Sequence, residues 1–292
     1  MPERMDSGMM TALELRARMQ AAPFKPFRVI PTALAKRVEF ARIISLTAAV
    51  GPCLMGGAFM LDILHEDADL LVVNKPAGLV CHPTKGDELS SLVSRARLYL
   101  GAPGHLINRL DRETSGVIVL AKNPAAAGAL GKLFESRVVR KEYLAIVRGS
   151  APDDSGVIDL PLGKDKASQI AIKDCVRADG ADASTEYFTQ RRFHRPEGDF
   201  SLLRVLPRTG RKHQIRIHLA AIGHPIVGDK LYGGNEDLYL ALVQDRLTAE
   251  QRAELLLANH ALHAREVKLP WRGEERTFRA PPNEEFTGFA GA

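Results

Sequence analysis

The sequence predicts an α+β fold built on a mainly antiparallel sheet, and two observations carry the prediction. Short β-branched or alternating apolar runs recur from Leu61 onward, and the helical stretches between them show no regular βαβ alternation. With 292 residues, 45% of them hydrophobic, the chain can bury a full core.

Residues 1–60 read as an N-terminal extension of unknown role. A helix-like run over 11–20 leads to the proline-punctuated Ala22-Pro23-Phe24-Lys25-Pro26-Phe27 and then to an uncharged apolar stretch over 43–61. That stretch is about long enough to cross a bilayer. Ser45, Thr47, Pro52 and three glycines argue against a span, and it lies too far from Met1 for a secretory signal. Met60 stands directly before the first clean strand, so an upstream translational extension is one reading of this region.

Strands are expected over 62–65, 70–74, 117–121, 142–148, 183–190 and 200–207, and in a segment ending at 269. Helices are expected over 89–100, 124–135, 213–222 and 247–259. Pro124 suits the first turn of its helix, with Asn123 as the cap. One domain is expected over 61–275, followed by a C-terminal tail over 276–292.

The net charge of +5 points to an anionic partner. Cys53, Cys81 and Cys175 form no CxxC pair, so neither a zinc site nor a disulfide framework is expected, and a reducing cytoplasm is the simplest compartment. Neither a P-loop nor a GxGxxG occurs, which argues against a glycine cradle for nucleotide phosphates.

Four segments can carry chemistry. In Ile107-Asn108-Arg109-Leu110-Asp111-Arg112-Glu113-Thr114-Ser115-Gly116, a carboxylate between two arginines feeds the apolar strand 117–121, which places Asp111 at the floor of a cleft. On local spacing alone the same run also reads as an ordinary Asp-Thr-Ser-Gly turn. The run 72–83 breaks a strand into a Pro/Gly loop bearing Lys75 and His82. Along 140–149, alternation puts Tyr143 on one face with Ala145 and Val147, and Lys141 at the rim.

The densest segment runs from Arg208 to Gly234. Helical spacing projects Arg216 from a partly buried surface, where a guanidinium needs a carboxylate partner, and Asp111 is the obvious one. Arg208, Arg211, Lys212 and Arg216 cluster at one loop–helix junction, and Lys132, Arg137, Arg140 and Lys141 form a second basic block, as a phosphodiester backbone requires. His213 and His218 are five apart, the wrong step for two metal ligands on one helical face, and His260 and His263 have nothing nearby to complete a site.

Together these segments resemble the RluA-type pseudouridine synthase family over roughly 61–269. The family's HRLDxxTSG appears as Asn108 to Gly116, its KxY strand as Lys141-Glu142-Tyr143, its TGRxHQIRxHL as Thr209 to Leu219, and its GxPIxGDxxYG as Gly223 to Gly233. Asn108 stands where the family usually has histidine, and the small RNA-binding domain that precedes many members is not recognisable in 1–60.

The resemblance implies a long bent mixed sheet with flanking helices and a central catalytic cleft, within a catalytic domain over 61–275. It implies Asp111 as the essential carboxylate, Tyr143 lying against the base and aiding loss of the C5 proton, and Arg216 paired with the aspartate. It implies Arg109 as the arginine that takes the space of a flipped nucleotide, with Lys141, Arg208, Arg211, Lys212 and His213 contacting RNA. The reaction would be isomerisation of uridine to pseudouridine in large-subunit ribosomal or transfer RNA, by a cytoplasmic monomer with no cofactor, no metal and no membrane attachment.

Two rival readings remain. A non-catalytic RNA-binding protein on the same fold would not need Asp111. An aspartate-nucleophile hydrolase acting on phosphate or glycosidic bonds would want a metal site or a second carboxylate close by, and Glu113 is the only near neighbour offering one.

Overall fold

The computed structural model describes residues 61–83 and 91–291. The readings on 1–60, and the start of the helix expected from 89, lie outside the described residues.

The strands, in chain order, are β1 (Asp62–Glu66), β2 (Leu70–Lys75), β3 (His105–Leu106), β4 (Ser115–Ala121), β5 (Arg140–Arg148), β6 (Ser155–Asp159), β7 (Leu162–Lys164), β8 (Asp174–Val176), β9 (Ser184–Arg195), β10 (Gly198–Pro207), β11 (Leu262–Trp271) and β12 (Glu274–Arg279). The helices are α1 (Leu92–Leu100), α2 (Pro124–Glu135), α3 (Gln214–Ala221), α4 (Asp237–Val243), α5 (Ala249–Leu255) and α6 (Glu284–Ala290). Asn123 caps α2 by accepting the Ala126 N–H, with Pro124 in the first turn.

One large sheet runs β1-β2-β4-β11-β5-β10-β9-β6, with β3 added on β4 and β12 on β11; β7 and β8 form a separate hairpin. Its pairings are antiparallel except at one seam, where β4 and β11 run parallel through Ser115 opposite His263 and Gly116 opposite Ala264. Gly116 has a φ of +115°, and a Cβ there would stand 2.2 Å from the Ala264 carbonyl oxygen. Only glycine tolerates both the dihedral and the approach. The two antiparallel halves of the sheet therefore join directly beneath the Asp111 loop.

Alternate residues of β2 and β4 are buried on opposite faces, which explains their unbroken apolar sequence. Leu70, Val72, Val117 and Val119 pack with Ala126 and Leu130 of α2, while Leu71, Val73, Ile118 and Leu120 pack with Leu92 and Ala96 of α1. Beyond the seam, β5 and β10 pack with Ile215 and Leu219 of α3 and with Phe286 and Phe289 of α6.

The structure departs from the sequence reading at several elements. The segment expected as a tail supplies β12, paired along β11, and α6, whose two phenylalanines are buried. The short strands β3, β6, β7 and β8 and the helix α4 were not expected. The helix expected over 247–259 stops at Leu255, because Leu256 turns to φ +68°. Ser115 and Gly116, expected as turn residues, are the first residues of β4. No described helix is long and apolar enough to cross a membrane.

Candidate active site

A cleft of about 620 Å³ opens above the seam, lined by Arg109, Asp111, Arg137, Lys141, Tyr143 and residues 207–211 and 213–216. Asp111 enters it from a loop that is clamped on every side. The Thr114 N–H donates to the Asp111 carbonyl, Gly78 N–H and Lys75 Nζ both donate to the Arg112 carbonyl, and Cys81 Sγ donates to that of Leu110. Lys75 is fully buried and also donates to the carbonyls of Pro76 and Leu79; burial pulls its pKa down to about 8.

Asn108 has a definite task. Its amide nitrogen donates to the Val117 carbonyl and its oxygen accepts the Val119 N–H, so it splices the loop to β4 between the stretches that pair with β11 and β3. Downstream, Thr114 Oγ1 lies 2.7 Å from His260 Nε2 and Ser115 Oγ 2.8 Å from His263 Nδ1, while His263 Nε2 donates to the Ala280 carbonyl. These histidines buckle the loop to β11.

The structure brings Asp111 and Arg216 into contact across 105 residues of sequence: Arg216 Nη1 donates to Asp111 Oδ2 at 2.8 Å. A second carboxylate shares the guanidinium. Asp229 takes Nε at 2.7 Å and Nη2 at 2.8 Å, and its Oδ1 also accepts the Leu231 and Tyr232 N–H groups. The bidentate grip orients the arginine fork so that its remaining nitrogen faces Asp111.

Burial, the largest single influence, would raise the Asp111 carboxyl, but the Arg216 charge, with smaller contributions from His213, His260 and the Arg216 hydrogen bond, outweighs it and holds the pKa below the ordinary value. Burial works likewise against the Arg216 charge, and Asp229 then Asp111 reverse it, so the guanidinium stays charged. Asp111 Oδ1 takes no hydrogen bond among the described residues, and His213 Nε2 stands 3.9 Å from it.

Tyr143 lines the same cleft. Burial, and then the Asp111 charge, push its phenol above the ordinary range, so it is protonated through neutral pH. It offers the cleft a neutral ring and an O–H donor, and must lose that proton before it can accept another.

The 208–213 loop is folded around Gln214. The Gln214 oxygen accepts from Thr209 Oγ1 and the Arg211 N–H, and its amide nitrogen donates to the Ser184 carbonyl and to Thr185 Oγ1. Among the basic residues, Arg109 and Arg137 are exposed on the cleft and carry no ion pair among the described residues. Lys141, half buried, has its pKa lowered by burial. Arg208 pairs with Glu186, and Arg211 donates to the Asp182 carbonyl. Lys212 does not line the cleft and pairs with Asp174 at 2.9 Å.

Sequence reasoning missed Asp229, Tyr232, Gln214, His260 and His263. The buried Arg216 was the available signal for Asp229: a guanidinium placed in a core needs more than one half-exposed carboxylate to satisfy its five donors. Glu113, the second carboxylate that a hydrolase would need, does not line the cleft. Its Oε2 accepts from Lys230 Nζ at 2.9 Å and from the His260 N–H at 3.2 Å.

Comparison with known proteins gives a consistent picture. A family model described as RNA pseudouridylate synthase matches residues 69–221. The chain is 38% identical to ribosomal large subunit pseudouridine synthase D of Xanthomonas campestris, covering 77% of this chain and 67% of that one. It is 41% identical to dual-specificity RNA pseudouridine synthase RluA of Vibrio parahaemolyticus, covering 60% of this chain and 70% of that one. Among solved structures, human RNA pseudouridylate synthase domain containing 1 superposes with a TM-score of 0.63 at 27% identity, covering 78% of this chain and 86% of that one.

Proposed function

This chain belongs to the RNA pseudouridylate synthase family, of RluA type, and is thus an RNA-modifying isomerase; from that premise we propose that Asp111 performs its chemistry on a uridine in structured ribosomal or transfer RNA. The observation that carries the reading is the asymmetry of the Asp111 carboxylate. Oδ2 is held by Arg216, while Oδ1 is unbonded among the described residues and faces the cleft, ionised and ready to act.

The isomerisation breaks the N1–C1′ bond, turns the base, forms a C5–C1′ bond, and returns a proton to N1 for the one lost from C5. Oδ1 can attack C1′ to give a covalent intermediate, or take the C2′ proton to give a glycal. Arg216 holds the charge in place for both. Tyr143 supplies a neutral ring for the base to lie against, and Arg109 and Arg137 on the rim supply phosphate contacts. The substrate class is supported by those cations and by the large-subunit enzyme among the relatives.

Release of tritium from RNA labelled at uridine C5 tests the assignment. Asp111→Asn is expected to abolish release while leaving RNA affinity within a few-fold. Arg216 keeps both bonds to Asp229, so the variant retains its fold. Turnover by Asp111→Asn would overturn the reading, and mapping pseudouridines in cells with and without the gene identifies the target.

A further inference from the structure

A chain of polar contacts runs from the β7–β8 hairpin into the cleft. The backbone N–H of Asp174, the first residue of β8, donates to Tyr232 Oη at 3.3 Å, and Tyr232 Oη lies 2.9 Å from His213 Nδ1. His213 Nε2 lies 3.9 Å from the unbonded Oδ1 of Asp111. The Tyr232 oxygen already accepts from Asp174, so its single proton is free to go to Nδ1. A neutral imidazole that accepts at Nδ1 carries its own proton on Nε2, facing the cleft. The opposite tautomer would leave the Tyr232 O–H without an acceptor among the described residues.

The ring is held in that pose. Its side chain is 9% exposed, it meets the Tyr232 ring edge-on at 5.6 Å, and the Arg216 guanidinium lies over the Tyr232 ring, 5.0 Å from its centroid. His213 sits at φ +54°, a left-handed conformation for a non-glycine residue, fixed by the neighbouring Gln214 bonds. Strain of this kind persists where surrounding structure over-determines it. Lys212 ties the hairpin to the same loop through Asp174. Burial lowers the His213 pKa to about 4, so the ring is neutral at physiological pH.

A separation of 3.9 Å is too long for a direct hydrogen bond, so a single substrate atom seated between the two would accept from Nε2–H and donate to the carboxylate. A uracil carbonyl can only accept; a hydroxyl does both. Within an RNA chain the 3′ and 5′ oxygens are phosphodiesters, which leaves the ribose 2′-hydroxyl as the sugar's free one. We propose that the 2′-hydroxyl of the target nucleotide bridges His213 Nε2–H and Asp111 Oδ1, and that Tyr232 is the positioning residue that locks His213 in the donating tautomer. This rests on the reading of Asp111 as the catalytic carboxylate and makes the same site the one that distinguishes RNA from DNA.

The test uses the full chain and transcripts bearing the mapped uridine as either the ribo- or the 2′-deoxy nucleotide, with kcat/KM measured for wild type, His213→Ala and Tyr232→Phe. In wild type the ribo substrate is favoured, and the preference falls about tenfold in His213→Ala and by less in Tyr232→Phe, because both variants lose mainly on the ribo substrate. An unchanged ratio in His213→Ala overturns the bridge while leaving the functional reading intact. A wild type inactive on every ribo transcript overturns the functional reading instead. Independently, nitrogen-15 correlation spectra of the free protein should show His213 protonated at Nε2 in wild type and as mixed tautomers in Tyr232→Phe; an Nδ1-protonated ring in wild type overturns the relay.

Discussion

Asp229→Asn tests whether the second carboxylate is what makes Arg216 useful. Asparagine keeps the shape and one oxygen, which can go on accepting from Arg216 Nη2 and from the Leu231 and Tyr232 N–H groups. The other position becomes an NH₂ facing Arg216 Nε–H, a donor against a donor where a 2.7 Å charged bond stood. Loss of a charged hydrogen bond costs about 1.5–3 kcal/mol, and removing one partner of a buried ion pair about 3–5 kcal/mol. Arg216 still has Asp111, so the lower end applies, about 3 kcal/mol, or on the order of 10 °C in Tm for a domain of this size. Asp111→Asn removes one bond from a carboxylate whose side chain is 28% exposed and should lose only about 1 kcal/mol. Urea denaturation should therefore rank Asp229→Asn as clearly less stable than Asp111→Asn. Tritium release should show a fall in kcat of about a hundredfold with little change in KM, because the fork no longer aims at Asp111. The reverse stability ranking, or wild-type kcat in Asp229→Asn, would refute the shared-guanidinium reasoning.

Two further outcomes follow from the fold. Gly116→Ala forces a Cβ into the Ala264 carbonyl at φ +115° and should destabilise by more than about 4 kcal/mol, read as insolubility or a collapsed melting temperature. Gly131→Ala, in α2 with open space around the added carbon, should instead gain about 0.5–1 kcal/mol; similar melting of the two variants would remove the seam argument. His260 is buried, and burial lowers its pKa to about 3. The unfolded chain takes up that proton below about pH 6.5 and the folded protein does not, so protons favour unfolding and stability falls as pH drops. Between pH 7 and 5 the loss from His260 is about 2 kcal/mol. The fall in urea midpoint between those pH values should be smaller in His260→Gln than in wild type, with the remainder carried by other buried histidines such as His213, and an equal fall in wild type and variant would contradict the assignment.

The Asp111 loop shows how far local sequence reaches. Asp111, Tyr143 and Arg216 were legible because each sits at a readable junction: a polar loop entering an apolar strand, the rim of an alternating strand, and a helix surface rich in cations. The strands β2, β4, β5 and β10 were legible for the same reason, since period and β-branching are properties of neighbouring residues. Asn108 departs from the family pattern in sequence, and only its two bonds to β4 show what it does.

The sequence by itself determined the longer central strands β2, β4, β5, β9 and β10, the helix α2, the basic rim, and the pairing of Arg216 with an aspartate. Only the tertiary structure decided the parallel seam at Gly116, the sharing of Arg216 with Asp229, the His260 and His263 buckle, and the burial of the last residues as β12 and α6. The physical reason is the same in each case. Glu-Glu-Arg-Thr-Phe-Arg carries no strand signal until β11 offers its edge, and a hydrogen bond between groups more than a hundred residues apart leaves no periodicity for a local reading to find.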